Sequence, residues 1–149
     1  MYINGEWIQS PHTFPVFNPA TGEQLGQVVD GSRDDARKAI GAAKAALPAW
    51  SALSAYARSE KLYSAYQLMM KRRPELAQIM TREQGKPLKA ALNEVKYAAD
   101  FLLWFAEEAK RIYGQTIPSS RSDQRFLVHR QPVGVVAAVT PWNYPVSML

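Results

Sequence analysis

Apolar residues recur at two different periods along this chain, and the change from one to the other divides it. Through the first thirty residues they come in short runs separated by turn formers. Asn4-Gly5, set between Tyr2-Ile3 and Glu6-Trp7-Ile8, predicts a tight hairpin, because a type I′ turn needs positive φ at both central positions. Asn18-Pro19-Ala20-Thr21-Gly22 predicts a second turn, between Phe14-Pro15-Val16-Phe17 and Leu25-Gly26-Gln27-Val28-Val29. From Ser32 the spacing becomes three and four. Ser32 with Asp35 forms a capping-box pattern, and Ala36, Ala39, Ile40, Ala43 and Leu47 predict a helix that ends before Pro48. Ser54 caps a second helix, with Leu62, Tyr66 and Met69 on its apolar face, running to Arg73. Pro74 starts a third helix and Gly85 closes it. The longest helix is expected from about Pro87 to Tyr113, closed by Gly114, and its Leu103 and Trp104 widen the apolar face enough to predict burial by its own domain and by a neighbour.

The pattern changes again after residue 115. Residues 116–123 are a polar connector, and 126–131 form a short, partly exposed strand ended by Pro132. Residues 133–139, Val-Gly-Val-Val-Ala-Ala-Val, are apolar without alternation, which predicts a strand buried on both faces, as in parallel α/β sheets. Thr140-Pro141-Trp142-Asn143-Tyr144-Pro145 follows. The two prolines hold Thr140 and Tyr144 out of the helical region, so Trp142 and Asn143 are displayed between fixed points at the carboxyl end of a strand, where ligands of open α/β sheets bind. A parallel strand also needs neighbours reached through long crossovers, and none can be read in the residues that remain.

Composition narrows the classes. With 149 residues, 47% of them hydrophobic, the chain can bury a core and is not of disordered composition. The net charge of +5 comes from 18 basic residues interleaved with 13 acidic ones, and the one tight run, Lys71-Arg72-Arg73, suits a helix C-terminus. No nucleic-acid partner is expected. The first residues have neither the basic nor the apolar region of a signal peptide, and no apolar run approaches the roughly 20 residues of a membrane span. A cytoplasmic protein is expected.

Few residues are arranged for chemistry. There is no cysteine, which removes disulfides, thiolate metal sites and a thiol nucleophile from these residues. His12 and His129 lack ligand-spaced partners, and the acidic residues fall on helical faces as ordinary charged positions. Neither a Gly-x-Ser-x-Gly elbow nor a dinucleotide glycine fingerprint is present. Asn143 remains. Its carboxamide can stabilise a developing oxyanion, or it can satisfy the backbone of its own turn, and the spacing leaves both readings open. Trp142 likewise reads as core packing or as a cofactor wall.

Gln131-Pro132-Val133-Gly134-Val135 leading to Thr140-Pro141-Trp142-Asn143-Tyr144-Pro145 resembles the strand-and-turn motif of the aldehyde dehydrogenase superfamily, with Tyr144 where Phe is more usual. Asn4-Gly5-Glu6-Trp7, Asn18-Pro19-Ala20-Thr21-Gly22-Glu23 and Thr81-Arg82-Glu83-Gln84-Gly85-Lys86-Pro87-Leu88 resemble its N-terminal landmarks in the same order. The stretch from Trp104 to Gly114, with Thr116-Ile117-Pro118 after it, is similar to the succinate-semialdehyde dehydrogenase branch.

The resemblance implies an α/β fold. Residues 1–117 would be hairpins and helices packed on a cofactor domain, 118–132 a connector and oligomerisation-arm strand, and 133–149 the first parallel strand and motif turn of an incomplete Rossmann-like NAD(P)-binding domain. It implies oxidation of a small-molecule aldehyde, succinate semialdehyde foremost, with NAD or NADP, in a homo-oligomer without nucleic-acid or membrane partners. In the family's mechanism a Cys thiolate attacks the aldehyde and a Glu assists thioester hydrolysis. Asn143 matches the oxyanion donor, and Thr140, Pro141, Trp142 and Asn143 match positions along the cofactor. Lacking the Cys and the Glu, the chain looks like roughly the first third of such an enzyme and is expected to be inactive alone. The alternative is a stand-alone, non-catalytic protein-interaction module.

Overall fold

The computed structural model describes residues 1–148; Leu149, the last position of the expected cofactor-domain segment, lies outside the described residues. Strands β1 (Tyr2–Ile3) and β2 (Glu6–Trp7) pair antiparallel about Asn4 and Gly5, whose φ values of 53° and 84° are those the type I′ turn requires. Strands β3 (Thr13–Phe17) and β4 (Gln24–Val29) form a second antiparallel pair, with a register shift between Val16 and Phe17. Gly22, at φ 74°, sits in the turn between them, and its N–H donates to Asn18 O at 2.8 Å.

Helix α1 (Arg33–Ala52) begins in the predicted capping box: Ser32 Oγ accepts from the Asp35 N–H at 3.2 Å, and an Asp35 oxygen accepts from the Ser32 N–H at 3.0 Å. The Asp35 carboxyl is thereby held down to about 2, first by the Ser32 hydroxyl and then by its backbone N–H. The helix does not stop before Pro48 as expected. It continues through Pro48 to Ala52. Proline withdraws one N–H from the ladder, a loss tolerated here because only the last turn lies beyond it. Helix α2 (Ala55–Lys71) starts under a Ser54 cap whose Oγ accepts from the Ala57 N–H at 3.1 Å. Helix α3 (Arg73–Gln84) carries Pro74 in its first turn and ends on Gly85 at φ 77°. A Cβ on Gly85 would lie 2.9 Å from Pro19 Cγ, so glycine there serves both the backbone conformation and the approach of the second hairpin.

Helix α4 (Leu88–Glu108) is the axis of the molecule, packed against α2 and α3, and its last turn tightens into a 3-10 turn over Ala109–Arg111. The core is small and built largely of alanine: Ala77 and Met80 from α3 meet Ala91 and Val95 from α4, with Ala98, Ala99 and Ala106 buried further along. Small side chains let the helices approach closely. Of the residues expected to widen the apolar face of α4, Leu103 is half-buried and Trp104 is 59% exposed, and Phe105 on its main face is 56% exposed.

Part of the expected connector is a strand. Gln115–Pro118 is β5, antiparallel to β6 (Arg125–Val128), and every residue of both is exposed. Gly114 allows the pairing rather than merely closing the helix, since a Cβ on it would meet Val128 O at 2.7 Å.

The largest departure concerns residues 133–139. Among the described residues they pair with nothing and form no strand. Val133 is 94% exposed and Val139 100%. A strand is defined by ladder bonds to a neighbour, and α-helices, which satisfy their own backbone, supply none. Gly134, at φ 113°, also leaves the strand region and turns the run. The whole chain exposes 11563 Å², against about 7,600 Å² for a compact monomer of this mass. Exposed large apolar side chains lie on these strands, on α4 and along this run, and on the N-terminal hairpins and the other helices as well.

Candidate functional site

The motif turn lies in the angle between the end of α3 and the start of α4. Gly85 reverses the chain out of α3 and Pro87 leads it into α4, which leaves Lys86 between them. Its ammonium donates to Asn143 O at 2.7 Å, pairs with the Glu94 carboxylate, and stands 4.3 Å from the centroid of the Tyr144 ring. Glu94 lies two turns into α4, only 3% exposed, and its other oxygen accepts from the Val146 N–H at 3.1 Å. From α3, Gln84 Nε2 donates to Trp142 O at 2.5 Å. Val146 rests against the Ala77, Met80, Ala91 and Val95 core, and Ser147 is buried beside it.

Thr140 is half-buried, while Pro141, Trp142 and Asn143 are exposed, Trp142 to 82%. Trp142 is therefore not core packing in this chain. The polar groups of the turn that are held are backbone groups: the carbonyls of Trp142 and Asn143 and the amide of Val146. The Asn143 carboxamide makes none of the hydrogen bonds found among the described residues, so it does not serve its own turn. It is displayed from a turn anchored by other side chains, with two N–H donors free to meet an oxygen.

The turn separates two open clefts. One, of about 590 Å³, is bounded by Lys86, Glu94, Tyr97 and Tyr144; the other, of about 500 Å³, is apolar, with Leu76, Met80, Trp142 and Pro145 in its wall. Buried polar atoms without a partner among the described residues gather at the same junction: Thr81 Oγ1 and Gln84 Oε1 on the last turn of α3, and Ser147 Oγ. Such groups cost stability, and in native proteins they call for an explanation.

Comparison with known proteins now decides the family. Residues 7–149 match the family model described as the aldehyde dehydrogenase family. The chain belongs to that family. This aldehyde dehydrogenase chain is 53% identical to glutarate-semialdehyde dehydrogenase of Pseudomonas putida over 99% of its own length and 31% of that protein's. It is 51% identical to succinate-semialdehyde dehydrogenase [NADP(+)] of Escherichia coli, again over 99% of this chain and 31% of the relative. Among solved structures, an NADP-dependent enzyme of E. coli superposes with a TM-score of 0.93 at 51% identity, covering 98% of this chain and 31% of that one. Succinate-semialdehyde dehydrogenase of Burkholderia pseudomallei gives the same TM-score at 45% identity, covering 99% and 31%. The chain thus spans about a third of the relatives it matches, their N-terminal part, with the helices and small sheets of the aldehyde dehydrogenase α/β fold.

Reading the aldehyde dehydrogenase sequence alone singled out the turn but missed what holds it. Glu94 is not an ordinary charged position on a helical face. It lies in the buried stripe of α4 between Ala91, Val95 and Ala98, and an acid at that phase of the repeat was the available signal. Nothing in the sequence pointed Lys86 and Gln84 at the turn, since the main-chain groups they bind there are 57 and 58 residues away.

Proposed function

We propose that this chain is the N-terminal segment of an enzyme that oxidises an aldehyde, succinate semialdehyde foremost, to its carboxylate with NAD⁺ or NADP⁺, and that Asn143 is its oxyanion donor. The observation that carries the reading is the free carboxamide of Asn143 on a turn held by Gln84, Lys86 and Glu94. When a nucleophile adds to the aldehyde carbon, the carbonyl oxygen gains negative charge, and a prepositioned N–H donor lowers that barrier by about 3 to 4 kcal/mol. The nucleophile is not in these 149 residues, which contain no cysteine.

NAD(P)⁺, when bound, supplies the hydride acceptor. The exposed ring of Trp142 and the rigid Thr140-Pro141 step before it suit the wall of a planar ligand, and Asn143 completes that edge. They suit a wall only, because no glycine-rich phosphate cradle accompanies them. On this reading residues 1–117 cover the cofactor domain, 118–132 supply the arm of a homo-oligomer, and 133–149 form the domain's first strand. The bare apolar faces support it, as surfaces that further chain covers. Location in the cytoplasm belongs to the same reading; among the described residues no helix is long and apolar enough to cross a membrane.

The test is a hybrid in which this chain replaces the matching third of the E. coli succinate-semialdehyde dehydrogenase. The hybrid should reduce NADP⁺ with succinate semialdehyde, the 149-residue chain alone should not, and Asn143→Ala in the hybrid should lower kcat about 10²- to 10³-fold. A hybrid whose kcat ignores Asn143→Ala, or a lone chain that oxidises the aldehyde, overturns the proposal. The same exposed faces fit a second reading, an interaction module that binds a full-length relative. Tight capture of such a relative by the inactive chain, with a native stop codon after Leu149, would favour it.

A further inference from the structure

We infer that Gln84, Lys86 and Glu94 are positioning residues that set where the Asn143 carboxamide points. The inference rests on the reading of Asn143 as an oxyanion donor and adds the residues through which that donor is placed. Three side chains from the α3–α4 junction bind three main-chain groups within a span of five residues: Gln84 to Trp142 O at 2.5 Å, Lys86 to Asn143 O at 2.7 Å, and Glu94 to the Val146 N–H at 3.1 Å. The first two hold the peptide groups on either side of the Asn143 Cα, and the third fixes the exit of the turn. The Asn143 carboxamide takes no part in these bonds.

Stability does not explain the choice of side chains. The Lys86 and Glu94 side chains are 14% and 2% exposed, and a buried ion pair is often replaced by apolar residues at no cost. Ala91 and Val95 flank Glu94 on the same stripe, so an apolar residue at that position would extend the existing core. What apolar residues cannot do is bind a carbonyl and an amide of an irregular turn that has no ladder of its own. The pair also carries complementary signs for that task, the cation on a carbonyl and the carboxylate on an N–H. A displaced catalytic group loses rate steeply, on the order of 10²-fold for 1 Å, so an exposed turn that presents one needs such anchors.

The measurement uses the hybrid enzyme described above, with the 149-residue chain followed in parallel by amide exchange. Replacing the pair together, Lys86→Met with Glu94→Leu, keeps an apolar junction and avoids stranding one buried charge. The double variant should melt near the parent temperature, lose protection at the Val146 amide, and lower kcat about 10- to 100-fold with KM within about threefold. Gln84→Leu, which leaves the ion pair intact, should lower kcat by less. Lys86→Arg, which keeps charge and donors, should retain most of the parent kcat. Adding the double change to Asn143→Ala should give no loss beyond that of Asn143→Ala alone, because both act on one contact.

If Asn143→Ala is costly while the double replacement leaves kcat unchanged, or multiplies the Asn143→Ala loss, the positioning role is overturned and the reading of Asn143 stands. If Asn143→Ala itself leaves kcat unchanged, that reading falls, and the role of the three residues with it.

Discussion

Helix α4 and residues 133–139 are the two most apolar stretches of the chain, and their fates are opposite. Val95 on α4 is fully buried, whereas Val139 is fully exposed. Hydropathy does not explain it, since the exposed run has no charged residue while α4 carries Lys89, Glu94, Lys96, Asp100, Glu107 and Glu108. The difference lies in where each finds partners for its backbone. A helix closes its own hydrogen bonds and needs only a face to pack on, and α2 and α3 supply that face to α4. An extended run needs a neighbouring strand for its backbone and a layer on each side for its side chains, and the described residues offer it neither. An apolar stretch is therefore a demand for partners, and its burial depends on what the rest of the assembly provides.

The sharpest test of this contrast puts the same charge at both places. Val95→Asp should cost about 4 kcal/mol or more, since it buries an unpaired carboxylate in the core, and thermal or urea unfolding of the helical layer would show it. Val139→Asp should change the stability of the 149-residue chain by less than about 0.5 kcal/mol. If the run gains neighbours in the hybrid enzyme, as the proposed function has it, the same Val139→Asp should there be costly. Equal effects of the two substitutions in the isolated chain would break the comparison.

Gly114→Ala probes how a sheet is admitted at the end of a helix. Its Cβ would press on Val128 O, so β5 and β6 must shift, at a cost of about 1 to 3 kcal/mol. Amide exchange should show loss of protection at their paired residues while α2 and α4 stay protected.

The smallest effect tests the self-sufficiency of a helix. Ser32→Ala should cost α1 about 1 kcal/mol. The Asp35 carboxyl is depressed from its ordinary 3.8 to about 2 by the Ser32 hydroxyl and N–H. A depressed carboxyl stabilises the folded state above its unfolded value and loses that contribution as pH falls toward its folded value. Acid titration of helicity should therefore show α1 weakening between about pH 4 and pH 2 in the parent chain. Asp35→Asn should be weaker at pH 5 and lack that step, with circular dichroism as the readout.

Local chemistry was legible in the residues themselves. Asn4-Gly5, the Ser32 and Asp35 box, the Ser54 cap, Pro74 and Gly85 each act within a few residues of where they stand, and each is found doing so. Pro48 misled because a helix near its end can spare one N–H, and residues 116–123 misled because β5 takes its partner from beyond a polar turn. The turn around Asn143 could be seen as rigid and displayed. Whether its carboxamide was spent on the turn could not, because that depended on contacts from more than fifty residues away.

The sequence by itself thus determined the turns, caps and helices, the family motifs and the absence of a thiol from these residues, all set by short-range geometry or plain composition. Only the tertiary structure decided that Glu94 is a buried anchor, that Lys86 and Gln84 reach the motif turn, and that the Asn143 carboxamide has no partner among the described residues. The reason is physical. A side chain's burial and its hydrogen-bond partner belong to the pair of surfaces that meet, and neither surface carries the other's address.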